Sequence, residues 1–382
     1  LENPRRNCIT VHPDTHNPNK AWQKVRIHQK KETVEPLDLN TPITEDKIRF
    51  VCLSDTHGKL EKTKGYQLPA GDVLLHAGDF SDIGLPTDIE NFNNYLGKVP
   101  YKVKVVIAGN HDLTFDDQFV KEDRERLKHC FCITENKFED RLKELNITHI
   151  KEMLTNCIYL EDQSLSLCGI KIYGTPWQPE FCGWGFNLKR GQPCLDKWNL
   201  IPEDTDILMS HGPPLGYGDM CSGNNRAGCA ELLSTVQRRV KPKYHIFGHI
   251  HEDYGVTTDG FTTYINASTC TLRYKADNPP VVFDMPIPDG HSKSELLYEF
   301  INYFDHLFTI NIELIDWYLE RRKHLLLEAL LTLNFVNLPL YLMEVLGPVI
   351  CFVNRRHSFL LILSSMKLLY VYIEFKNVKF SQ

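Results

Sequence analysis

The side chains best suited to chemistry in this sequence are carboxylates, amides and imidazoles that follow short apolar runs. Five such runs occur, and each has the composition of a strand that stops at potential metal ligands. In open α/β sheets, ligands bind beyond the carboxyl ends of the strands, so we expect the five ends to meet at one site. The candidate ligands are Asp55, His57, Asp79, Asn110, His211, His249 and His251.

These ligand types predict a particular kind of metal site. Oxygen and imidazole donors without thiolates suit manganese, iron or zinc. A single ion rarely takes seven protein ligands of this kind, whereas two ions that share one carboxylate do. Two ions held about 3.5–4 Å apart can stabilise both the attacking and the leaving oxygen of a phosphoryl displacement. The pattern therefore predicts two divalent ions, with manganese favoured over iron and zinc, and phosphoryl chemistry.

The composition is that of a globular protein. The chain has 382 residues, of which 42% are hydrophobic and 24% charged, and its net charge of −6 argues against a surface that coats nucleic acid. Its 12 cysteines are irregularly spaced and include no C-x-x-C pair, so reduced thiols are expected rather than disulfides or structural zinc. Residues 1–47 lack the apolar segment of a signal peptide. We therefore expect a cytoplasmic protein.

Three regions differ in character. Residues 1–47 are polar and are interpreted as an N-terminal arm, with Trp22 as its anchor. Residues 48–288 alternate strand and helix patterns, which predicts an α/β layered domain. Within this region we expect a helix over 88–98 capped by Thr87, and a strand over 165–173. Other helices are predicted over 116–129, 136–145 and 229–240.

Residues 289–382 are predicted to be a helical, apolar C-terminal extension. The segments 325–353 and 359–375 are strongly apolar, but a membrane-spanning helix needs about 20 largely apolar residues. The first segment contains charged residues and prolines, and the second is short. Three interpretations stay open: membrane association of residues 325–375 as an interfacial or re-entrant hairpin, helices packed on the body, or the product of an incorrect gene model.

The candidate ligands belong to blocks that resemble a known family. Residues 48–270 resemble the calcineurin-like metallophosphoesterases, and the flanking sequences 110–116 and 264–269 resemble the animal metallophosphoesterase-domain-containing phosphodiesterases, a cytosolic branch. The resemblance implies a four-layer α/β/β/α sandwich, while the segment after residue 288 has no counterpart in that branch. The matching blocks, in order, are Asp55-x-His57, Gly78-Asp79, Gly109-Asn110-His111-Asp112, the His211 segment and Gly248-His249-x-His251.

The resemblance also implies a role for each ligand. The first metal would be bound by one set of three residues and the second by another, while Asp79 would bridge the two ions. The nucleophile would be a metal-bound hydroxide, because bound water can lose its proton near pH 7. The first set is Asp55, His57 and His251, and the second is Asn110, His211 and His249.

Two further residues are implied to act in catalysis. His111 would stabilise the transition state or protonate the leaving oxygen, which suits imidazole near neutral pH. Asp112 would orient His111 or a metal ligand. The expected activity is hydrolysis of phosphodiesters, including cyclic or other nucleotides. The alternatives are a phosphomonoesterase and a protein that binds metal and nucleotide, or acts as a scaffold, with weak catalysis.

The loop between residues 174 and 193 is the candidate for substrate contact. Its aromatic residues Trp177, Trp184 and Phe186 can either stack on a nucleobase or pack the loop against the body, and packing is the favoured interpretation. The predicted substrate-binding residues are Asn110, His111, Trp184 and Phe186. His76 and His245 lie in the middle of predicted strands, so we expect them in the core or next to a metal ligand.

Overall fold

In a computed structural model, the chain is described over residues 8–60, 68–123 and 135–296. The predictions for the apolar segments between 325 and 375 lie outside these ranges, so the extension and its boundary at residue 288 stay predictions. Among the helices of these ranges, none combines the length and the apolar character needed to cross a membrane.

The secondary structure alternates strands and short helices. In chain order the strands are β1 (Glu32–Thr33), β2 (Lys47–Leu53), β3 (Val73–Ala77), β4 (Val103–Ile107), β5 (Ile158–Tyr159), β6 (Gln163–Leu167), β7 (Ile170–Thr175), β8 (Gln178–Pro179), β9 (Asn187–Leu188), β10 (Ile207–Ser210), β11 (Met220–Cys221), β12 (Asn225–Arg226), β13 (Tyr244–Phe247), β14 (Gly255–Thr258), β15 (Thr263–Asn266) and β16 (Val281–Pro286). The helices are α1 (Pro18–Val25), α2 (Pro86–Lys98), α3 (Asp117–Glu122), α4 (Glu135–Leu145), α5 (Gln192–Trp198) and α6 (Ala230–Thr235), which continues as a π-helical turn, Val236–Val240.

Two mixed sheets form the centre of the domain. One has five strands in the order β16-β2-β3-β4-β5, and the other has seven in the order β1-β14-β15-β13-β10-β7-β6. Strands β2, β3 and β4 are parallel to one another, as are β7, β10, β13 and β15. Parallel strands present their carboxyl ends at one edge of a sheet, and that is where the candidate ligands follow.

Three apolar clusters show that the domain has four layers. The first lies between the sheets and takes residues such as Phe50 and Ile246 from both. The second lies between the five-stranded sheet and α2, and includes Val51 and Phe92. The third lies between the seven-stranded sheet and α1, α5 and α6. Strands β2 and β3 are buried on both faces, which matches their mostly apolar sequences, although Arg49 and His76 are buried within them. The predicted α/β/β/α architecture is confirmed.

Two local predictions were wrong. Thr87 does not cap α2, because the helix begins at Pro86 and the capping position, Leu85, makes no side-chain bond. The single strand expected over 165–173 is an antiparallel hairpin of β6 and β7. Its turn consists of Cys168 and Gly169, which have φ values of +48° and +77°. A left-handed turn of this kind interrupts an apolar run without any proline or charged residue to mark it.

Helix α1 of the N-terminal arm packs on the outer face of the seven-stranded sheet, and β1 of the arm is an edge strand of that sheet. The buried carboxylate of Glu231 accepts hydrogen bonds from the backbone N–H of His12 (3.0 Å) and the hydroxyl of Thr15 (3.0 Å). The Trp22 ring meets the Tyr217 ring edge-on, with centroids 6.3 Å apart. The expectation that Trp22 anchors the arm is confirmed. The arm thereby holds the segment that follows the candidate ligand His211.

Candidate metal centre

The candidate ligands lie where the two sheets meet at their carboxyl edges. Ser54 and Ser268 form a parallel bridge between the end of β2 and the residues after β15. The hydroxyl of Ser268 donates to Asp55 Oδ2 at 3.0 Å. The backbone N–H of Gly248 donates to the His211 carbonyl at 3.0 Å, which joins the ends of β10 and β13. The five strand ends predicted from the sequence therefore converge.

Several ligands have a strained backbone conformation. Asp55, His57, Asp79 and His249 have φ values of +50°, +44°, +54° and +68°. Left-handed conformations cost non-glycine residues about 1–2 kcal/mol each and cluster at functional sites. The chain turns sharply in this way after β2, β3 and β13.

Glycines precede three of the ligands because other ligands occupy the space of a side chain. A Cβ built on Gly248 would overlap the Asp55 carboxylate, and one built on Gly109 would overlap the Asp79 carboxylate. Glycine allows this close approach of backbone to functional side chains. The Gly-His and Gly-Asn pairs thus reflect packing within the site.

The residues expected at the first metal form one compact group. Ligand atoms of Asp55, His57 and His251 all lie within 4.8 Å of one another. His251 Nε2 is 3.2 Å from Asp55 Oδ1 and 3.4 Å from His57 Nε2. On the other side, His57 Nε2 is 3.9 Å from Asp79 Oδ2.

The residues expected at the second metal form an adjacent group. Asn110 Oδ1 is 3.0 Å from His211 Nε2 and 2.6 Å from His249 Nδ1. His211 Nε2 is also 3.3 Å from Asp79 Oδ2. Asp79 Oδ2 therefore lies between His57 of the first group and His211 of the second, where a bridging carboxylate belongs.

The orientation of two imidazoles tests whether these donors fit a cation. The Nδ1 atoms of His211 and His251 face the carbonyls of Ala77 (2.9 Å) and Thr271 (3.2 Å). A carbonyl only accepts, so each Nδ1 carries a hydrogen and each neutral ring has its lone pair on Nε2. Both lone pairs point at oxygen acceptors. That arrangement is repulsive unless a cation or a proton lies between them, so the donors fit a metal.

The protonation states agree with this arrangement. Burial lowers the pKa of His57 and of His249 to about 3, so both are neutral and have lone pairs to donate. Burial also disfavours charge on His211, but the carboxylates of Asp79 and Asp55 outweigh it and raise the His211 pKa to about 9. A proton on His211 thus interacts favourably with the same carboxylates that a metal ion would.

His111 lies beside both groups of candidate ligands. Its backbone N–H donates to Asp79 Oδ1 (2.8 Å), and its Nδ1–H donates to the carbonyl of Asp82 (2.7 Å). His111, His57 and Asp79 have ligand atoms within 4.8 Å of one another, so His111 borders the metal groups. The bond to Asp82 leaves Nε2 as the nitrogen that can carry or release a second proton.

Asp112 has a different role from orienting the His111 ring. Its buried carboxylate accepts from the backbone N–H groups of Asp79 (2.9 Å), Gly109 (2.8 Å) and Ser81 (3.0 Å), and from the Ser81 hydroxyl (2.6 Å). It therefore binds together the segments that carry Asp79 and Asn110. Of the two expected roles, the geometry matches the positioning of metal ligands.

The aromatic residues of the loop around β8 and β9 divide into two kinds. Phe186 is only 1% exposed and meets Trp177 edge-on at 5.3 Å, so it has no surface for a substrate. The prediction that Phe186 binds substrate is therefore wrong, because packing of the loop occupies its ring. Trp184 is half-buried, and its ring centroid is 4.2 Å from that of His111. It stays a candidate.

The mid-strand histidines support residues next to the ligands. His76 Nε2 is 2.9 Å from the hydroxyl of Thr56, and His245 Nε2 is 2.8 Å from the hydroxyl of Ser210. Both imidazoles are fully buried. Their placement in the core, adjacent to the ligand segments, is as expected.

Other contacts at the site escaped the sequence analysis. Phe181 and Tyr274 come from loops, and their rings lie 5.9 Å from His249 and 4.8 Å from His57. Lys59 Nζ donates to the His57 carbonyl at 3.2 Å. The only available signal was position: Lys59 lies two residues after a ligand, and Tyr274 follows the Asn266–Thr269 run at the end of β15.

Comparison with known proteins agrees with this geometry. Residues 48–253, more than half of the chain, match the model of the calcineurin-like phosphoesterase family. The chain belongs to the calcineurin-like phosphoesterases. It is 49% identical over 287 residues to human metallophosphoesterase domain-containing protein 1, covering 73% of this chain and 86% of that protein. It is 48% identical over 291 residues to the UPF0046 protein T07D4.2 of Caenorhabditis elegans, covering 74% and 71%.

A more distant relative is also similar. The chain is 21% identical over 226 residues to a Nostoc protein named 3',5'-cyclic-nucleotide phosphodiesterase, covering 58% of this chain and 70% of that protein. As a calcineurin-like phosphoesterase, the protein is a hydrolase of a family that binds divalent metals, and its candidate ligand groups occupy the place where the family motifs converge.

Proposed function

We propose that this protein is a metal-dependent phosphodiesterase whose substrates are cyclic or other nucleotides. The observation that carries the proposal is the position of Asp79, whose Oδ2 is 3.3 Å from His211 of one ligand group and 3.9 Å from His57 of the other. When bound, two divalent ions in these groups would supply Lewis-acid stabilisation of the phosphate and activation of a water. Manganese is the proposed metal among the three that oxygen and imidazole donors suit, the other two being iron and zinc.

His111 is the proposed general acid. Its Nδ1–H bond to the Asp82 carbonyl (2.7 Å) fixes the ring, and its backbone bond to Asp79 Oδ1 ties it to the bridging carboxylate. Nε2 is left to hold a proton and give it to the departing ester oxygen. Asn110, as the residue before His111, would present its amide to the same phosphate oxygens.

The charge of the site favours diesters over monoesters. A monoester carries an additional negative charge, which phosphatases commonly match with arginine. In the described ranges, no arginine side chain donates to any of the seven candidate ligands, and the cation that contacts a ligand residue there is Lys59, whose Nζ donates to the His57 carbonyl at 3.2 Å and lies 3.4 Å from Asp82 Oδ1. The similarity to the Nostoc 3',5'-cyclic-nucleotide phosphodiesterase supports cyclic nucleotides as the substrate class.

The test is hydrolysis of bis(p-nitrophenyl) phosphate compared with p-nitrophenyl phosphate. The protein would be stripped of metal, reconstituted with manganese, and assayed as wild type, as His111→Ala, and as His28→Ala, a control at an exposed histidine of the arm. We expect manganese-dependent cleavage of the diester that His111→Ala reduces at least about 100-fold and His28→Ala leaves unchanged.

Two results would redirect the assignment. Faster cleavage of the monoester would establish a phosphomonoesterase. Bound manganese without turnover of either ester would favour the weakly catalytic binding protein or scaffold. A cytoplasmic location is part of the proposal, and fractionation of cells that express the full chain would test it together with membrane association of residues 325–375.

A further inference from the structure

Three aromatic side chains border the mouth of the metal centre, and each contacts a site histidine. Ring centroids are 4.2 Å apart for Trp184 and His111, 5.9 Å for Phe181 and His249, and 4.8 Å for Tyr274 and His57. Phe181 is 59% exposed and Tyr274 is 43% exposed. We call Phe181, Trp184 and Tyr274 the aromatic rim. Large exposed rings next to a reaction site form a surface that a complementary group can bind.

Tyr274 is held in the rim by a tight turn. The bridge between Cys270 and Ala276 closes this turn, and the Tyr274 backbone N–H donates to the Thr271 carbonyl at 2.7 Å. That same carbonyl accepts from His251 Nδ1. Tyr274 has a φ of +54°, a conformation that L-residues adopt only when the surroundings impose it. The turn therefore ties the tyrosine to a candidate metal ligand.

The ring of Tyr274 spans the first-metal side of the site. Its centroid is 5.3 Å from that of His251 and 6.2 Å from that of His111, in addition to the contact with His57. A group esterified to a phosphate in this site, extending away from His111, would pass along the tyrosine. Stacking of planar groups on such a ring is sequence-tolerant and favourable for any π-face.

One lysine lies beside Tyr274, together with the carboxylates of Asp79, Asp55 and Asp82. Lys59 Nζ lies 5.4 Å from the centre of its ring, within range of a cation–π contact. Arg273 and Lys275, its neighbours in the chain, are both exposed. Aromatic and basic side chains together match a ligand that combines a planar ring with negative charge.

We propose that the aromatic rim, with Tyr274 as its main contact, is the subsite that binds a planar aromatic group of the phosphodiester substrate, such as a nucleobase. The inference rests on the proposed phosphodiesterase function and narrows its substrate class. Tyr274 acts there as a specificity-determining residue that binds the substrate group retained after the leaving group departs.

The experiment compares two diesters that release the same leaving group. The p-nitrophenyl ester of thymidine 5'-phosphate and methyl p-nitrophenyl phosphate both give p-nitrophenolate, so they differ only in the retained group. For wild type, kcat/KM should be higher for the thymidine ester. Tyr274→Leu should raise KM for the thymidine ester about tenfold and leave both constants for the methyl ester within about twofold. Tyr274→Phe, which keeps the ring, should behave as wild type.

A matched control and a binding measurement complete the test. Phe261, in the turn between β14 and β15, is 64% exposed and outside the rim, so Phe261→Leu should alter neither substrate. Calorimetric titration of the manganese-loaded protein with thymidine 5'-phosphate and with methyl phosphate should show that Tyr274→Leu weakens only the nucleotide, again about tenfold.

Each contrary outcome has a distinct meaning. An equal loss for both esters in Tyr274→Leu would show that the tyrosine supports the metal histidines, and would overturn the inference. No loss for either ester, with unchanged nucleotide binding, would also overturn it. If wild type fails to cleave even the methyl ester with manganese, the proposed function itself fails, and the calorimetric comparison alone decides whether the rim binds the base.

Discussion

The network around Asp112 makes the most specific prediction. Its Oδ2 accepts the backbone N–H groups of Asp79 and Gly109, and its Oδ1 accepts the N–H and the hydroxyl of Ser81. An asparagine side chain at this position would not reproduce the arrangement, because an amide has only one oxygen. Asp112→Asn is therefore a nearly isosteric change that removes the charge and one pair of acceptors.

The loss of stability expected for Asp112→Asn follows from the hydrogen bonds that the substitution changes. In the less costly orientation, the amide oxygen keeps the bonds to Asp79 and Gly109, and the Ser81 hydroxyl turns to accept from the new amide group. Those two backbone bonds lose their charge assistance, which is about half of their strength, and the Ser81 N–H is left without an acceptor at a cost of about 1–3 kcal/mol. Asparagine also removes the buried charge that Asp79 repels, which offsets the lost charge assistance, so we expect the free energy of unfolding to fall by about 1–3 kcal/mol through the unsatisfied Ser81 N–H.

The affinity for metal should also fall in Asp112→Asn. Residues that orient metal ligands typically change metal affinity about 10–100-fold when they are substituted. Since Asp112 holds the segments of Asp79 and Asn110, we expect manganese affinity to fall by this factor in Asp112→Asn. Burial and the Asp79 carboxylate raise the Asp112 pKa to about 7, so the assays belong at about pH 8, where the wild-type carboxyl is mostly ionised.

Asp116 provides a matched control. Its buried carboxylate also accepts backbone N–H groups, from Gln118 (3.0 Å), Phe119 (3.0 Å) and Phe186 (2.7 Å), but none belongs to a candidate ligand segment. Urea unfolding and competition with a fluorescent chelator would measure stability and manganese affinity. Asp116→Asn should lose stability alone. If Asp112→Asn does the same and keeps wild-type manganese affinity, the positioning argument is refuted.

Three other predictions follow from the site and the core. Asp79→Asn removes the shared carboxylate, and His249→Ala removes an imidazole. Each should abolish metal-dependent turnover and lower the manganese content measured by elemental analysis, while the circular dichroism spectrum stays unchanged. Retained turnover in either variant would contradict the assigned metal site. Gly109→Ala should also lose bound manganese, because a methyl group there would overlap the Asp79 carboxylate; a manganese content equal to that of wild type would contradict this packing. Burial lowers the His245 pKa to about 3, below its value in the unfolded chain. The free energy of unfolding should therefore fall by about 2 kcal/mol from pH 7 to pH 5 because of His245. Urea unfolding would measure this fall, and an equally steep fall in His245→Phe would disprove the prediction.

The ligand set could be predicted from the sequence because its pattern is local. Asp55, Asp79 and His249 each follow an apolar run within two residues, and parallel strands must bring their carboxyl ends to one edge. Ligand types such as carboxylate and imidazole also restrict the metal before any geometry is known. The four-layer architecture followed from the same alternation of strands and helices, together with the family resemblance.

Other features depended on contacts between distant segments. Phe186 and Phe181 belong to one loop and have the same side chain, yet one is buried against Trp177 and the other is exposed beside His249. Neither composition nor spacing distinguishes them. The acceptor for the His111 Nδ1–H is the backbone carbonyl of Asp82. Every residue type has such a carbonyl, so no sequence pattern could predict this hydrogen bond.

The types of donors and their order at strand ends are properties of the chain, so the expected metal ligands could be named before the fold was known. How those ligands are held and what surrounds them depend on the tertiary structure of the folded molecule. It tied Asp112 to the backbone of the ligand segments and left Tyr274 exposed above His57. The physical reason is that burial and hydrogen-bond partnership are properties of pairs of segments, and chain folding alone brings those pairs together.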